Sequence, residues 1–202
     1  MSKRSWIIVA LVAILGLAVG AALFWRAGGP ASGVVASSGQ ADVGGPFELV
    51  NQDGQPVDES VLEGKWSVVF FGFTYCPDIC PSTLQAVAVA EEQLGPRADE
   101  LQTVFISVDP ERDTPEQLKT YLSLDAFPDD VMGLTGTPEQ VAQAAKAYHA
   151  YYRKNGEGPD YSVDHSTAAY LMDPQGRFNR VLAYGLPPEE MARLIREAMQ
   201  QG

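Results

Sequence analysis

Cysteine and histidine are scarce in this chain: its 202 residues include only Cys76, Cys80, His149 and His165. Two cysteines so close in sequence cannot staple distant parts of a fold, which excludes a disulfide framework as the source of stability. Basic residues are also few, 14 against 26 acidic, for a net charge of −12. The imbalance sharpens beyond Arg26, because every acidic residue follows that position and Lys3, Arg4 and Arg26 do not. Such a surface excludes a nucleic-acid partner and reads as a solvated, aggregation-resistant face. No Asp-x-Asp-x-Asp-Gly pattern occurs around Asp109 to Asp113, so an EF-hand calcium loop is excluded there, and Asp109, Arg112 and Asp113 are assigned to loop structure, with a surface role left open.

What is present suits one core with an appendage, since hydrophobic residues make up 46% of the chain. Trp6 to Trp25 carries no charged side chain, and a run of about 20 apolar residues crosses a bilayer as a helix. Lys3 and Arg4 precede it, and this positive bias keeps the N-terminus cytoplasmic. Residues 1–26 are therefore expected to be a single-pass anchor in the cytoplasmic membrane, with the rest on the exported, periplasmic side. A cleaved signal peptide is the competing reading, with small residues at Ala18-Val19-Gly20. The run continues through Leu23, Phe24 and Trp25, which favours a retained anchor, and both readings give the same compartment. Residues 27–45, rich in Gly, Ser and Ala, read as a flexible linker, and residues 46–202 as the folded domain.

Within that domain, Phe47 to Val57 reads as a hairpin turning at Asp53-Gly54, followed by one helical turn that Gly64 closes. Trp66 to Thr74 is aromatic, β-branched and almost continuously apolar, the pattern of a central strand covered on both faces. It runs through Tyr75-Cys-Pro-Asp-Ile-Cys-Pro81 into a helix over Leu84 to Leu94. A strand at Thr103 to Val108 and a weaker one at Val131 to Leu134 each precede a helix that opens with Thr-Pro-Glu-Gln, a capping signal. A polar excursion at Lys154 to Asp160, a hairpin over 168–184 and a final helix after Pro187-Pro188 complete the chain. This order is that of an α/β thioredoxin-like fold, a central mixed sheet flanked by helices, preceded here by one transmembrane helix.

Cys76 and Cys80 lie at the strand-to-helix junction. If those residues form a first helical turn, their side chains share one face and their sulfurs grip one ion or join as a disulfide. A helix N-terminus stabilises thiolate, the form that binds metal and attacks disulfides. Ligands in open α/β sheets gather outside the carboxyl ends of strands, which argues against an inert pair. His149, in Ala-Lys-Ala-Tyr-His, reads as a helix C-terminal capping or packing residue. His165 has Asp164 and Ser166 beside it as hydrogen-bond partners, and spacing alone leaves it balanced between ligand and structural histidine.

Gly72-Phe-Thr-Tyr-Cys-Pro-Asp-Ile-Cys-Pro81, Ser107-Val-Asp-Pro-Glu-Arg-Asp-Thr-Pro115 and Val163-Asp-His-Ser166 together resemble the hallmark blocks of the Sco/SenC family. The resemblance spans about residues 46–200. It implies that Cys76, Cys80 and His165 bind copper, and that the protein prepares or loads the binuclear copper centre of cytochrome c oxidase. Two thiolates and an imidazole suit Cu(I), with one further oxygen donor for Cu(II), whereas structural zinc wants four ligands.

The implied activity is that of a metallochaperone whose partner is the copper-receiving oxidase subunit, a carrier more than a turnover enzyme. The alternative is a thiol–disulfide oxidoreductase using Cys76 and Cys80 on an exported partner. A peroxidase of the peroxiredoxin kind would pair its cysteine with Thr and Arg. Thr74 stands close in sequence, but no matching arginine is evident.

Overall fold

A computed structural model describes residues 42–201. Two hairpins and three further strands build a seven-stranded sheet in the order β2 (Pro56–Asp58), β1 (Glu48–Asn51), β5 (Val131–Thr135), β4 (Leu101–Ser107), β3 (Trp66–Gly72), β8 (Ala169–Met172), β9 (Phe178–Leu182). The first hairpin, β1 (Glu48–Asn51) with β2 (Pro56–Asp58), forms where Asp53-Gly54 predicts it. Asn51 closes the turn, its Oδ1 accepting the N–H groups of Asp53 and Gln55 at 3.0 and 2.9 Å, and Gly54 supplies a φ of 76°.

β3 (Trp66–Gly72) is buried along its whole length. Its position explains its composition: it pairs in parallel with β4 (Leu101–Ser107) and antiparallel with β8 (Ala169–Met172), so both edges and both faces are covered. β5 (Val131–Thr135) continues the parallel set beside β4, and β9 (Phe178–Leu182) pairs with β8 as the expected second hairpin.

Helices flank both faces of the sheet. Phe70, Phe105 and Gly133 are in register across β3, β4 and β5 and point to one side. On that side Gly133 makes room for Leu118 and Leu122 of α2 (Pro115–Leu122), and Gly72 makes room for Cys80 of α1 (Ile79–Leu94). α4 (Pro188–Gln201) packs on α1. On the opposite side Phe71 meets Tyr148, at the end of α3 (Pro138–Ala147), with ring centroids 5.3 Å apart.

The two Thr-Pro-Glu-Gln starts behave differently. Thr137 and Gln140 form the full reciprocal capping box. At α2 the Thr114 hydroxyl caps Gln117 N–H, but the Gln117 amide turns away and donates to Thr74 Oγ1 at 3.1 Å. That departure ties the helix to the cysteine loop.

The stretch read as a polar excursion, Lys154 to Asp160, lies at the connection of a separate two-stranded ladder, β6 (Tyr152–Asn155) with β7 (Ser162–His165). Its polarity hid it: Arg153, Lys154, Ser162 and Asp164 face solvent, and the connecting turn uses Gly156 and Gly158 at positive φ. Among the described residues no helix is long and apolar enough to cross a membrane. The expected anchor and most of the expected linker lie outside the described residues.

Candidate metal centre

The sheet brings the site together from three segments. Gly72 ends β3, and Ala169 begins β8 beside Phe70 in the antiparallel register, so the Cys76 turn and the residues before β8 share one end of the sheet. His165 ends β7, just ahead of β8. As a result, Cys76 Sγ, Cys80 Sγ and a His165 ring nitrogen all lie within 4.8 Å of one another. Cys80 Sγ is 3.6 Å from His165 Nε2.

The cysteines do not occupy one helical turn. α1 starts at Ile79, so Cys76 precedes it and Cys80 is its second residue. Cys76 instead presents its sulfur to the helix start, accepting Cys80 N–H at 3.5 Å. Hydrogen bonding from the Cys80 thiol, then from His165 and the amides of Asp78 and Cys80, holds Cys76 down at about 3 despite partial burial. Burial pushes the Cys80 thiol up, and the Cys76 thiolate pushes it further. The pair is thus differentiated: a thiolate at Cys76, 8% exposed, and a protonated thiol at Cys80, 0% exposed. The two are not joined in a disulfide.

The His165 ring is oriented by its other nitrogen. Nδ1 lies 2.8 Å from the Ser166 carbonyl oxygen, and a carbonyl only accepts, so Nδ1 carries a proton, and when the ring is neutral Nε2 presents its lone pair to the sulfurs. Burial lowers the imidazole pKa, but the Cys76 thiolate and the Ser166 carbonyl outweigh it and the net shift is upward. Phe73 and Phe70 meet the ring edge-on, at 5.6 and 6.1 Å between centroids. Of the two expected partners, Ser166 and Asp164, only Ser166 bonds the ring. Ser166 contributes its backbone oxygen, while Asp164 pairs with Arg153 at 3.2 Å.

Two further residues shape the site. A side chain at Gly72 would place Cβ 2.6 Å from Cys80 Sγ, so only glycine lets the sulfur reach the strand. A glycine interrupting an otherwise apolar strand is the signal that marks it. Buried Asp113 accepts Thr74 N–H at 3.0 Å, Thr74 Oγ1–H at 2.7 Å and Ser107 Oγ–H at 2.6 Å, anchoring the loop that leads to Cys76. Burial raises its carboxyl despite those bonds. The Thr74 hydroxyl is engaged by Asp113 and Gln117.

His149 is elsewhere. It takes φ 52° after α3, where His149 N–H donates to the Lys146 carbonyl and Ala150 N–H to the Ala145 carbonyl, a Schellman C-cap with histidine in the place glycine favours. Its Nε2 lies 2.9 Å from the Asp42 carbonyl.

Two sulfurs and one imidazole nitrogen with its lone pair free form a soft donor set, matched to copper. A sequence profile described as SCO1/SenC matches residues 35–200. Among curated relatives, the Arabidopsis thaliana protein SCO1 homolog 1, mitochondrial, is 46% identical over 144 residues, 70% of this chain and 42% of that protein. The chain therefore spans less than half the length of that relative. Protein SenC of Rhodobacter capsulatus is 43% identical over 156 residues, 77% of this chain and 70% of SenC. Among solved structures, Arabidopsis thaliana ScoI with copper bound is 40% identical with a TM-score of 0.74, covering 79% of this chain and 99% of that one. With profile, relatives and fold in agreement, this chain belongs to the SCO1/SenC family.

Proposed function

We propose that this chain captures one copper ion at Cys76, Cys80 and His165 and passes it to the copper-receiving subunit of cytochrome c oxidase. The observation that carries the reading is the convergence of two sulfurs and an imidazole nitrogen within 4.8 Å, with the nitrogen lone pair oriented by the Ser166 carbonyl. Copper bound in a relative of similar fold supports it. Three ligands hold Cu(I) without saturating it, which leaves a position for an incoming ligand from the recipient, the requirement for transfer by exchange. We further propose the arrangement read from the sequence: residues 1–26 as membrane anchor, 27–45 as linker and 46–202 as the domain held on the exported side.

A second reading rests on the contrast between the two cysteines. The Cys76 thiolate attacks a partner disulfide, forming a mixed disulfide and releasing one partner thiolate. Cys80 then loses its proton and attacks Cys76 Sγ, releasing the second partner thiolate and leaving this chain oxidised. Copper titration of the reduced chain tests the first reading. One equivalent is expected to bind tightly, and Cys76→Ser or Cys80→Ser to remove most of the affinity, because a hard hydroxyl replaces a soft thiolate. Near-native Cu(I) affinity in both variants would refute it. Recovery of oxidase activity in cells by a variant that no longer binds copper would put the reductase reading in its place.

A further inference from the structure

The two arms of the metal centre arrive independently. The cysteines follow β3, an interior strand of the main sheet, whereas His165 ends a hairpin that, among the described residues, shares no ladder with that sheet. The loop from Asp109 to Asp113 touches both arms. Toward the cysteines, Asp113 holds Thr74. Toward the hairpin, Arg112 Nη1 donates to the carbonyls of Tyr161 at 3.0 Å and Pro159 at 3.3 Å. The guanidinium carbon lies 3.6 Å from the Tyr161 ring centroid on the hairpin side and 4.6 Å from that of Tyr75, the neighbour of Cys76. Phe73, 5.9 Å from the same carbon, is the ring that meets His165 edge-on.

Asp109 orients this fork. Its Oδ2 accepts Arg112 Nε–H at 2.6 Å, and its Oδ1 accepts the Tyr161 hydroxyl. Lys154 of β6 adds a second tie, pairing with Glu111 at 2.5 Å and lying 3.9 Å from the Tyr161 centroid. The Arg112 side chain is only 15% exposed, and among the described residues its Nη2 is buried without a hydrogen-bond partner. An unpaired buried donor costs stability, so stability alone does not account for an arginine here. Its contacts with both arms do.

We propose that Arg112 is a positioning residue for copper capture: it locks the His165 hairpin to the cysteine turn so that the imidazole meets the sulfurs as a preset ligand. The proposal rests on the assignment of Cys76, Cys80 and His165 as the copper ligands. Without the lock, ordering the hairpin is charged against binding, and the sulfurs hold the ion while the nitrogen is recruited poorly. The task needs a planar fork that bonds two carbonyls and a carboxylate while stacking on rings, which lysine cannot reproduce.

A four-member cycle on the full-length chain tests this: wild type, Arg112→Met, His165→Ala and the double variant. In the copper-free protein, Arg112→Met is expected to speed amide exchange over 162–165 about tenfold while Trp66–Gly72 stays protected. Its Cu(II) affinity is expected to fall about tenfold, with weakened nitrogen coupling in the paramagnetic resonance spectrum. In the His165→Ala background, Arg112→Met should change affinity by less than about twofold, because the ligand through which it acts is gone. Arg112→Lys should change exchange and affinity in the same direction, and it serves if the methionine variant does not fold. Equal losses of affinity in both backgrounds, or unchanged exchange in the hairpin, would overturn the proposal. A wild type that binds no copper would overturn the ligand assignment and this proposal with it, whereas wild-type binding that Arg112→Met leaves intact would overturn the proposal alone.

Discussion

Cys80 Sγ sits 3.6 Å from His165 Nε2, although 85 positions separate the two residues. The contact is made by topology: β3 delivers the cysteine turn, antiparallel β8 starts at the same end of the sheet, and β7 sets the histidine just ahead of it.

Gly72→Ala tests the space beneath the cysteine sulfur. An alanine Cβ would stand 2.6 Å from Cys80 Sγ and 2.8 Å from the Phe105 ring, between a strand and a helix that are both packed. The substitution is expected to cost about 1–3 kcal/mol in urea unfolding and to weaken Cu(I) binding measured by chelator competition. Wild-type values for both would mean that the sulfur does not depend on the strand.

Glu91 gives the pH dependence of stability. Burial raises its carboxyl to about 7; the Thr103 hydroxyl works against this, while Asp130 and Asp129 add to it. In the unfolded chain the group titrates near 4.5, so between about 4.5 and 7 the folded chain keeps a proton that the unfolded chain has released. That stability is full below the unfolded value and is lost as pH rises through the folded one. Glu91→Gln keeps an acceptor for Thr103 and carries no titration. It is expected to flatten the profile and to exceed wild type by on the order of 1–2 kcal/mol at alkaline pH, read from urea midpoints across that range. Parallel profiles for the two proteins would contradict this.

His149→Gly separates the two histidines. The position has φ 52°, which glycine adopts without the cost that a side chain incurs, so copper binding should be unchanged and stability within about 1 kcal/mol of wild type. Copper loss in this variant would move a ligand to the wrong histidine.

The elements with strong periodicity were legible in the sequence. Continuous apolar character from Trp66 marks the buried strand, and Thr-Pro-Glu-Gln marks two helix starts. The β6–β7 ladder was not, because Val163 is the one fully buried residue of its two strands and its polar residues read as loop. Cys76, Cys80 and His165 stood out by rarity and by the blocks around them, and the structure brings all three together. The supports stayed hidden for a different reason. Arg112 reaches Tyr161 across 49 positions and Asp113 reaches Thr74 across 39, and such contacts leave no local signal beyond a charged block between a strand and a helix.

The most direct test is X-ray absorption at the copper edge on the reduced, copper-loaded chain, wild type and His165→Ala side by side. The expected wild-type spectrum contains two sulfur scatterers and one imidazole, and the imidazole disappears in the variant while both sulfurs remain. A wild-type spectrum without sulfur, or an imidazole that persists after His165→Ala, would contradict the assignment of Cys76, Cys80 and His165 as the copper site.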